Sequence, residues 1–143
     1  MPSQQPEEEA GLIRNETGTQ RLVGYVVDVR DPAHARCYLD VTEDHLNRHG
    51  VLHGGIAVTL LDNSCGTTGS LSVDPTGKAP FLTVSMNTNF LGAGRPGRVT
   101  ATGTIKGGGR SLLFIEAELR HEDGTLIATT SGVFKRVPVE KLT

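Results

Sequence analysis

Asp62 is the first residue of this 143-residue chain whose surroundings need an explanation. It follows Ile56-Ala57-Val58-Thr59-Leu60-Leu61 in a stretch with almost no polar face. A carboxylate is rarely buried there without a partner. Either it lies at the edge of an element and meets water or a partner, or it is a catalytic carboxylate. The run His53-Gly54-Gly55 opens the same stretch. At a helix start the first N–H groups lack partners and, with the helix dipole, favour a negative oxygen. Glycine there lets a ligand approach the backbone closely. The plain alternative is a flexible turn leading into a helix.

Spacing constrains how these parts could cooperate. Asp62 lies eight residues after Gly54, which is roughly 12 Å along a helix axis. One chain's Asp62 therefore cannot act on a carbonyl held at its own Gly54. If both serve one site, they come from two chains whose helices run antiparallel across a twofold axis. The catalytic reading thus predicts a homodimer.

Other residues carry weaker signals. His45, His49 and His53 are spaced by four, as zinc ligands on a helix can be. Gly50 and the two glycines after His53 interrupt such a helix, and no cysteine or carboxylate stands as a further ligand, so no metal site is expected. Gly107-Gly108-Gly109-Arg110-Ser111 lacks the Lys-Ser/Thr ending of a phosphate loop and reads as a hairpin turn. Lys106, Arg110, Lys135 and Arg136 could offer charge to a phosphate, although most such residues are solvated surface. Gly-x-Ser-x-Gly is absent, and Cys65 reads as core.

The elements that must position these residues follow from pattern. A β-branched run over 21–30, the turn Asp31-Pro32 and an alternating run over 35–41 predict two hairpinned strands. Residues 42–52 read as a loop or short helix. From Gly55 to about Leu71 the apolar run is too long for a strand, so it predicts a helix, one that must be enclosed. Four strands follow over 81–91, 98–106, 111–121 and 125–137, the last pair joined by Asp123-Gly124, a hairpin signal. Two strands, a buried helix and four strands make an α+β layer, an antiparallel sheet wrapped around one long central helix: the hotdog arrangement.

Length predicts one domain, over 21–143, after a polar, floppy or partly helical arm over 1–20 that carries Glu7-Glu8-Glu9. The net charge of −2 gives no field to attract nucleic acid. No run approaches the roughly 20 apolar residues of a membrane span, and no signal peptide is read. With two cysteines expected as free thiols, a soluble cytoplasmic protein is the expectation.

Asn47-Arg48-His49-Gly50-Val51-Leu52-His53-Gly54-Gly55, followed by Asp62, resembles the signature of hotdog-fold acyl-CoA thioesterases of the phenylacetic-acid-degradation (PaaI-like) type. Thr83 to Leu91, Gly109-Arg110 and Asp123-Gly124 with Ala128 are similar as well, and the likeness spans 25–134. It implies hydrolysis of an acyl- or aryl-CoA thioester, with no cofactor beyond coenzyme A as part of the substrate. The carbonyl would bind the N–H of Gly54 or Gly55, and the partner chain's Asp62 would be general base or nucleophile. Asn47 would hold the water or the thioester. His53 would position the loop or hydrogen-bond near the leaving thiol. Thr83 would orient the water. The cations Arg110, Lys106, Lys135 and Arg136 would meet the CoA phosphates, and dimers would pair into a dimer of dimers. The alternatives are a non-catalytic acyl-CoA binding or sensing domain and a hotdog dehydratase.

Overall fold

The computed structural model describes residues 10–138. Its elements are β1 (Leu12–Ile13), α1 (Gly18–Val23), β2 (Val26–Asp28), β3 (Arg36–Val41), a 3₁₀ turn (Glu43–His45), α2 (Gly54–Leu71), β4 (Phe81–Phe90), β5 (Gly97–Gly108), β6 (Leu112–His121) and β7 (Leu126–Arg136). The strands form one antiparallel sheet in the order β1-β2-β3-β5-β6-β7-β4. It packs around α2 through β3 to β7. The expected central helix and the strands after β2 are present, with ends within two residues of those read from pattern.

The run over 21–30 is not one strand. Residues 21–23 finish α1, and only Val26–Asp28 pair with β3. Cap chemistry explains the difference. The Thr17 hydroxyl accepts the Gln20 N–H at 3.1 Å at the helix start, and Gly24 at φ +92° closes the end. These caps hold the chain helical even though Leu22 is left 86% exposed. Of the expected arm, residues 1–9 lie outside the described part. Residues 10–20 supply β1 and the start of α1, where the buried Gln20 amide donates to the carbonyls of Ile13 (2.7 Å) and Tyr25 (3.0 Å).

The core is built where α2 meets the inner sheet face: Leu60, Leu61 and Cys65 pack with Val99, Ile115, Leu119 and Phe134. Helix and sheet come very close at Gly103, where a Cβ would sit 2.6 Å from the Ser64 carbonyl oxygen. Thr68 satisfies the polar groups at this contact, accepting the Ala35 N–H at 3.0 Å and donating to Ser64 O at 2.7 Å.

The expectation that α2 is enclosed all round needs correction. One stripe stays half-exposed in the single chain, along Val58, Thr59, Asp62, Asn63, Gly66 and Thr67. The stripe follows the i, i+3/i+4 spacing of a helix face, and it carries most of the helix's polar side chains. The neighbouring strand β4 bonds only β7 and forms an edge of the sheet, with Leu82, Val84 and Phe90 more than half exposed. Among the described residues, no helix is long and apolar enough to cross a membrane.

Candidate active site

Asp62 lies mid-way along α2 on the open stripe. Its Oδ1 accepts the Thr83 hydroxyl at 2.5 Å, across 21 positions of sequence. Register explains how Thr83 arrives there. It stands opposite the fully buried Phe134 on β7, and directly opposed residues share a sheet face, so its side chain points at the helix. A bulge between Thr83 and Ser85 then shifts the alternation, which turns Met86 inward to pack against the core. Beside this pair the Tyr25 hydroxyl donates to Asn63 Oδ1 at 3.3 Å, and burial raises the Tyr25 pKa. Burial, and then the Asp62 charge, pushes the Cys65 thiol up to about 12. It stays neutral near pH 7 and is no nucleophile.

The second group of site residues lies at the other end of α2. Asn47 folds a tight loop: its Oδ1 accepts the N–H groups of His49 (2.9 Å) and Val51 (3.3 Å), and its own N–H donates to Val51 O at 2.8 Å. Its side-chain NH₂ is left to point a donor elsewhere. His53 is the N-cap of α2, and its Nδ1 accepts the Gly55 N–H at 2.9 Å. That bond places the neutral ring's proton on Nε2. It also uses the Gly55 N–H, so of the two glycines it is Gly54 whose N–H has no partner among the described residues, with the Phe90 ring beside it. A Cβ at Gly55 would sit 3.1 Å from His53 Nδ1, while at Gly54 the nearest atom is the Phe90 ring at 3.4 Å.

His45, which spacing singled out only as a candidate zinc ligand, is a positioning residue for this loop. Its Nδ1 accepts the Thr42 N–H at 3.0 Å, so Nε2–H donates to Val23 O at 2.7 Å. Its own carbonyl accepts the His53 N–H at 2.9 Å. The buried ring thereby ties the Asn47–His53 loop to α1. The available signal was Thr42 three residues before His45, a capping box with histidine as the third residue.

Two clusters therefore stand apart: Asp62 with Thr83, and Asn47 with His53 and Gly54. Along the unbroken α2 they remain roughly 12 Å apart. Lys135 and Arg136 stand opposite Leu82 and Phe81, near Thr83. Arg110 precedes Ser111, whose carbonyl accepts the Arg136 N–H at 2.8 Å. Lys106 lies 4.0 Å from Glu116. Arg110, Lys135 and Arg136 thus lie at the end of the sheet where β4 begins, whereas Lys106 stands beside Glu116, whose register through Ser131 is level with Asn87 further along β4. Among the described residues, no three metal-ligating side chains converge.

A family model described as "Thioesterase superfamily" matches residues 49–128, which includes Asp62, Thr83, His53 and Gly54 and begins two residues after Asn47. The chain belongs to the thioesterase superfamily. Human acyl-coenzyme A thioesterase 13 is 32% identical over 112 residues, covering 76% of this chain and 78% of the relative. The fold is that of a Haemophilus influenzae thioesterase, at TM-score 0.77 with 22% identity, covering 87% of this chain and 85% of that one. It is also that of the E. coli PaaI protein from the phenylacetic acid degradation operon, at TM-score 0.73 with 20% identity and 86% of each chain covered. The expected hotdog arrangement and thioester-hydrolase class both stand, and Asp62 and His53-Gly54-Gly55 fall inside the matched segment.

Proposed function

We propose that the chain hydrolyses acyl- or aryl-CoA thioesters as a homodimer. Each site would combine Asp62 and Thr83 of one protomer with Asn47, His53 and Gly54 of the other. The observation that carries this reading is the Thr83 hydroxyl seated on Asp62 at 2.5 Å in a half-open groove, with the free helix-start N–H two turns away on the same helix. The unpaired outer edge of β4 and the open stripe of α2 support the dimer, because a ten-residue edge strand with exposed apolar side chains invites pairing. The exposed Leu112 and Phe114 on the outer sheet face support further pairing of dimers.

In this reading Gly54 N–H and the Asn47 amide hold the carbonyl oxygen as it gains charge. Asp62 takes a proton from water as the water oxygen bonds to the carbonyl carbon, and Thr83 fixes the carboxylate's orientation. The C–S bond then breaks, and the departing thiolate takes up the proton that Asp62 removed from water, directly or through solvent. His53 Nε2–H would hydrogen-bond near the leaving sulfur without giving up its proton. Lys106, Arg110, Lys135 and Arg136 would meet the CoA phosphates. The buried free thiols Cys37 and Cys65 support a cytoplasmic setting.

A steady-state panel of acyl- and aryl-CoA thioesters tests the reading. Turnover of at least one member, reduced about a hundredfold or more by Asp62→Ala, is expected. Hydrolysis of none, or full activity of Asp62→Ala, overturns it. Tight binding without turnover would favour a binding domain instead.

A further inference from the structure

Two rings flank the start of α2. His53 folds back on Gly55, where a Cβ would sit 3.1 Å from its Nδ1. Phe90 reaches Gly54 from the sheet: a Cβ there would sit 3.4 Å from Cε1 and 3.5 Å from Cζ, the outer edge of the phenyl ring. Chain neighbours aside, no other described side chain comes within 4 Å of that position. Bond geometry puts the Gly54 nitrogen about 2.5 Å from it, so the ring edge lies within about 6 Å of the donor. Register explains the approach. After the bulge between Thr83 and Ser85, Met86, Thr88 and Phe90 share the helix side of β4. Thr88 bonds the buried Thr130 at 3.0 Å, and Phe90 stands opposite the fully buried Ala128. The N–H groups of Leu91 and Gly92 both donate to Ile127 O, at 2.7 and 3.0 Å, which anchors this end of the strand. β4 runs antiparallel to α2, so one strand serves both clusters: Thr83 meets Asp62, and Phe90 meets Gly54.

We propose that Phe90 is a positioning residue for the hydrolysis, its ring keeping water away from the Gly54 N–H while that donor holds the thioester oxygen. The inference rests on Gly54 N–H serving that oxygen. An N–H at a helix start is otherwise satisfied by water. A donor aimed at a developing negative oxygen is worth most where water is excluded. The accepted oxygen lies about 3 Å from the nitrogen, so a ring edge within about 6 Å of that nitrogen borders the same small volume. Phe90 is still 56% exposed in the single chain, which leaves part of the ring for the incoming group to cover. In the two-chain site Phe90 belongs to the protomer that supplies Gly54, while Thr83 of the same strand serves the other site.

The test is a double-mutant cycle read in kcat and KM on the best thioester of the panel. Phe90→Gln keeps the reach of the side chain but wets the helix start. It should lower kcat about tenfold, part of what the donor itself supplies, with KM within about twofold. Phe90→Leu, which restores an apolar wall, should recover most of the rate. Proline at position 54 deletes the N–H, so adding Phe90→Gln to Gly54→Pro should cost no more than about twofold further. Alanine at 54 keeps the N–H, and there Phe90→Gln should again cost about tenfold. Melting temperature and native mass spectrometry confirm folding and pairing, and Phe90→Ala carries the same comparison where Phe90→Gln fails either check. An unchanged kcat for the Phe90 variant overturns the inference, as does a rise in KM alone or an equal loss in the Gly54→Pro and Gly54→Ala backgrounds. Those outcomes leave the thioesterase reading intact. A wild-type kcat for Gly54→Pro, or failure of wild type on every thioester, overturns both.

Discussion

Gly54 offers a way to delete one backbone donor without disturbing the helix that carries it. It is the first residue of α2, after the N-cap His53. Proline is tolerated at that position because its missing N–H has no intrahelical partner there. His53 at φ −60° and ψ 132° already has the extended geometry that a residue before proline prefers. A Cβ at Gly54 meets the Phe90 ring at 3.4 Å, an ordinary contact. Gly54→Pro should therefore fold, yet lose the donor assigned to the carbonyl oxygen. Removal of one such donor costs about 10²–10³ in kcat, or about 2.7–4 kcal/mol. Gly54→Ala keeps the N–H and should lose much less. The same variant tests the two-chain site. When Gly54→Pro and Asp62→Ala chains are co-expressed in equal amounts, random pairing makes about half of the dimers mixed, each with one intact composite site of two. The mixture should show about a quarter of wild-type activity, although each parent is nearly inactive. Mixed dimers are counted by native mass spectrometry. Mixed dimers no more active than the parents would refute the two-chain arrangement. A wild-type kcat for Gly54→Pro would refute the oxyanion role.

Two further expectations follow from side-chain surroundings. Thr83→Val removes the hydroxyl bonded to Asp62 while keeping the volume, and should lower kcat about tenfold or more with little change in KM; Thr83→Ser should restore most of the rate. Burial raises the thiol pKa of Cys37 and of Cys65, the latter to about 12 from an ordinary 9.0. Both should resist a thiol reagent at pH 8 in the native protein and react on unfolding. The folded state favours the neutral thiols, so their contribution is complete below pH 9 and is lost as pH rises past it, which denaturation midpoints between pH 8 and 10 will show.

Much of this protein is local and was therefore legible along the chain. Apolar period separates α2 from the strands. Asp123-Gly124 and Gly107-Gly108-Gly109 place the hairpins, and the run from His53 to Asp62 marks both halves of the proposed site and the helical distance that divides them. Pattern failed where a cap competed with a β-branched run, since α1 depends on Thr17 and Gly24 rather than on the residues between them.

What the tertiary structure alone decided is which groups remain free. Thr83 reaches Asp62 because of its register opposite Phe134, a pairing 51 positions away in the chain. Gly54 rather than Gly55 keeps its N–H because the His53 ring folds back onto the latter. His45 became a tether through a carbonyl 22 residues away, and the buried Ser70 hydroxyl is left without a hydrogen-bond partner among the described residues. The physical reason is common to these cases. Residue types and spacings determine which donors and acceptors exist on which element, but their occupancy depends on long-range contacts that form only when the sheet closes on the helix.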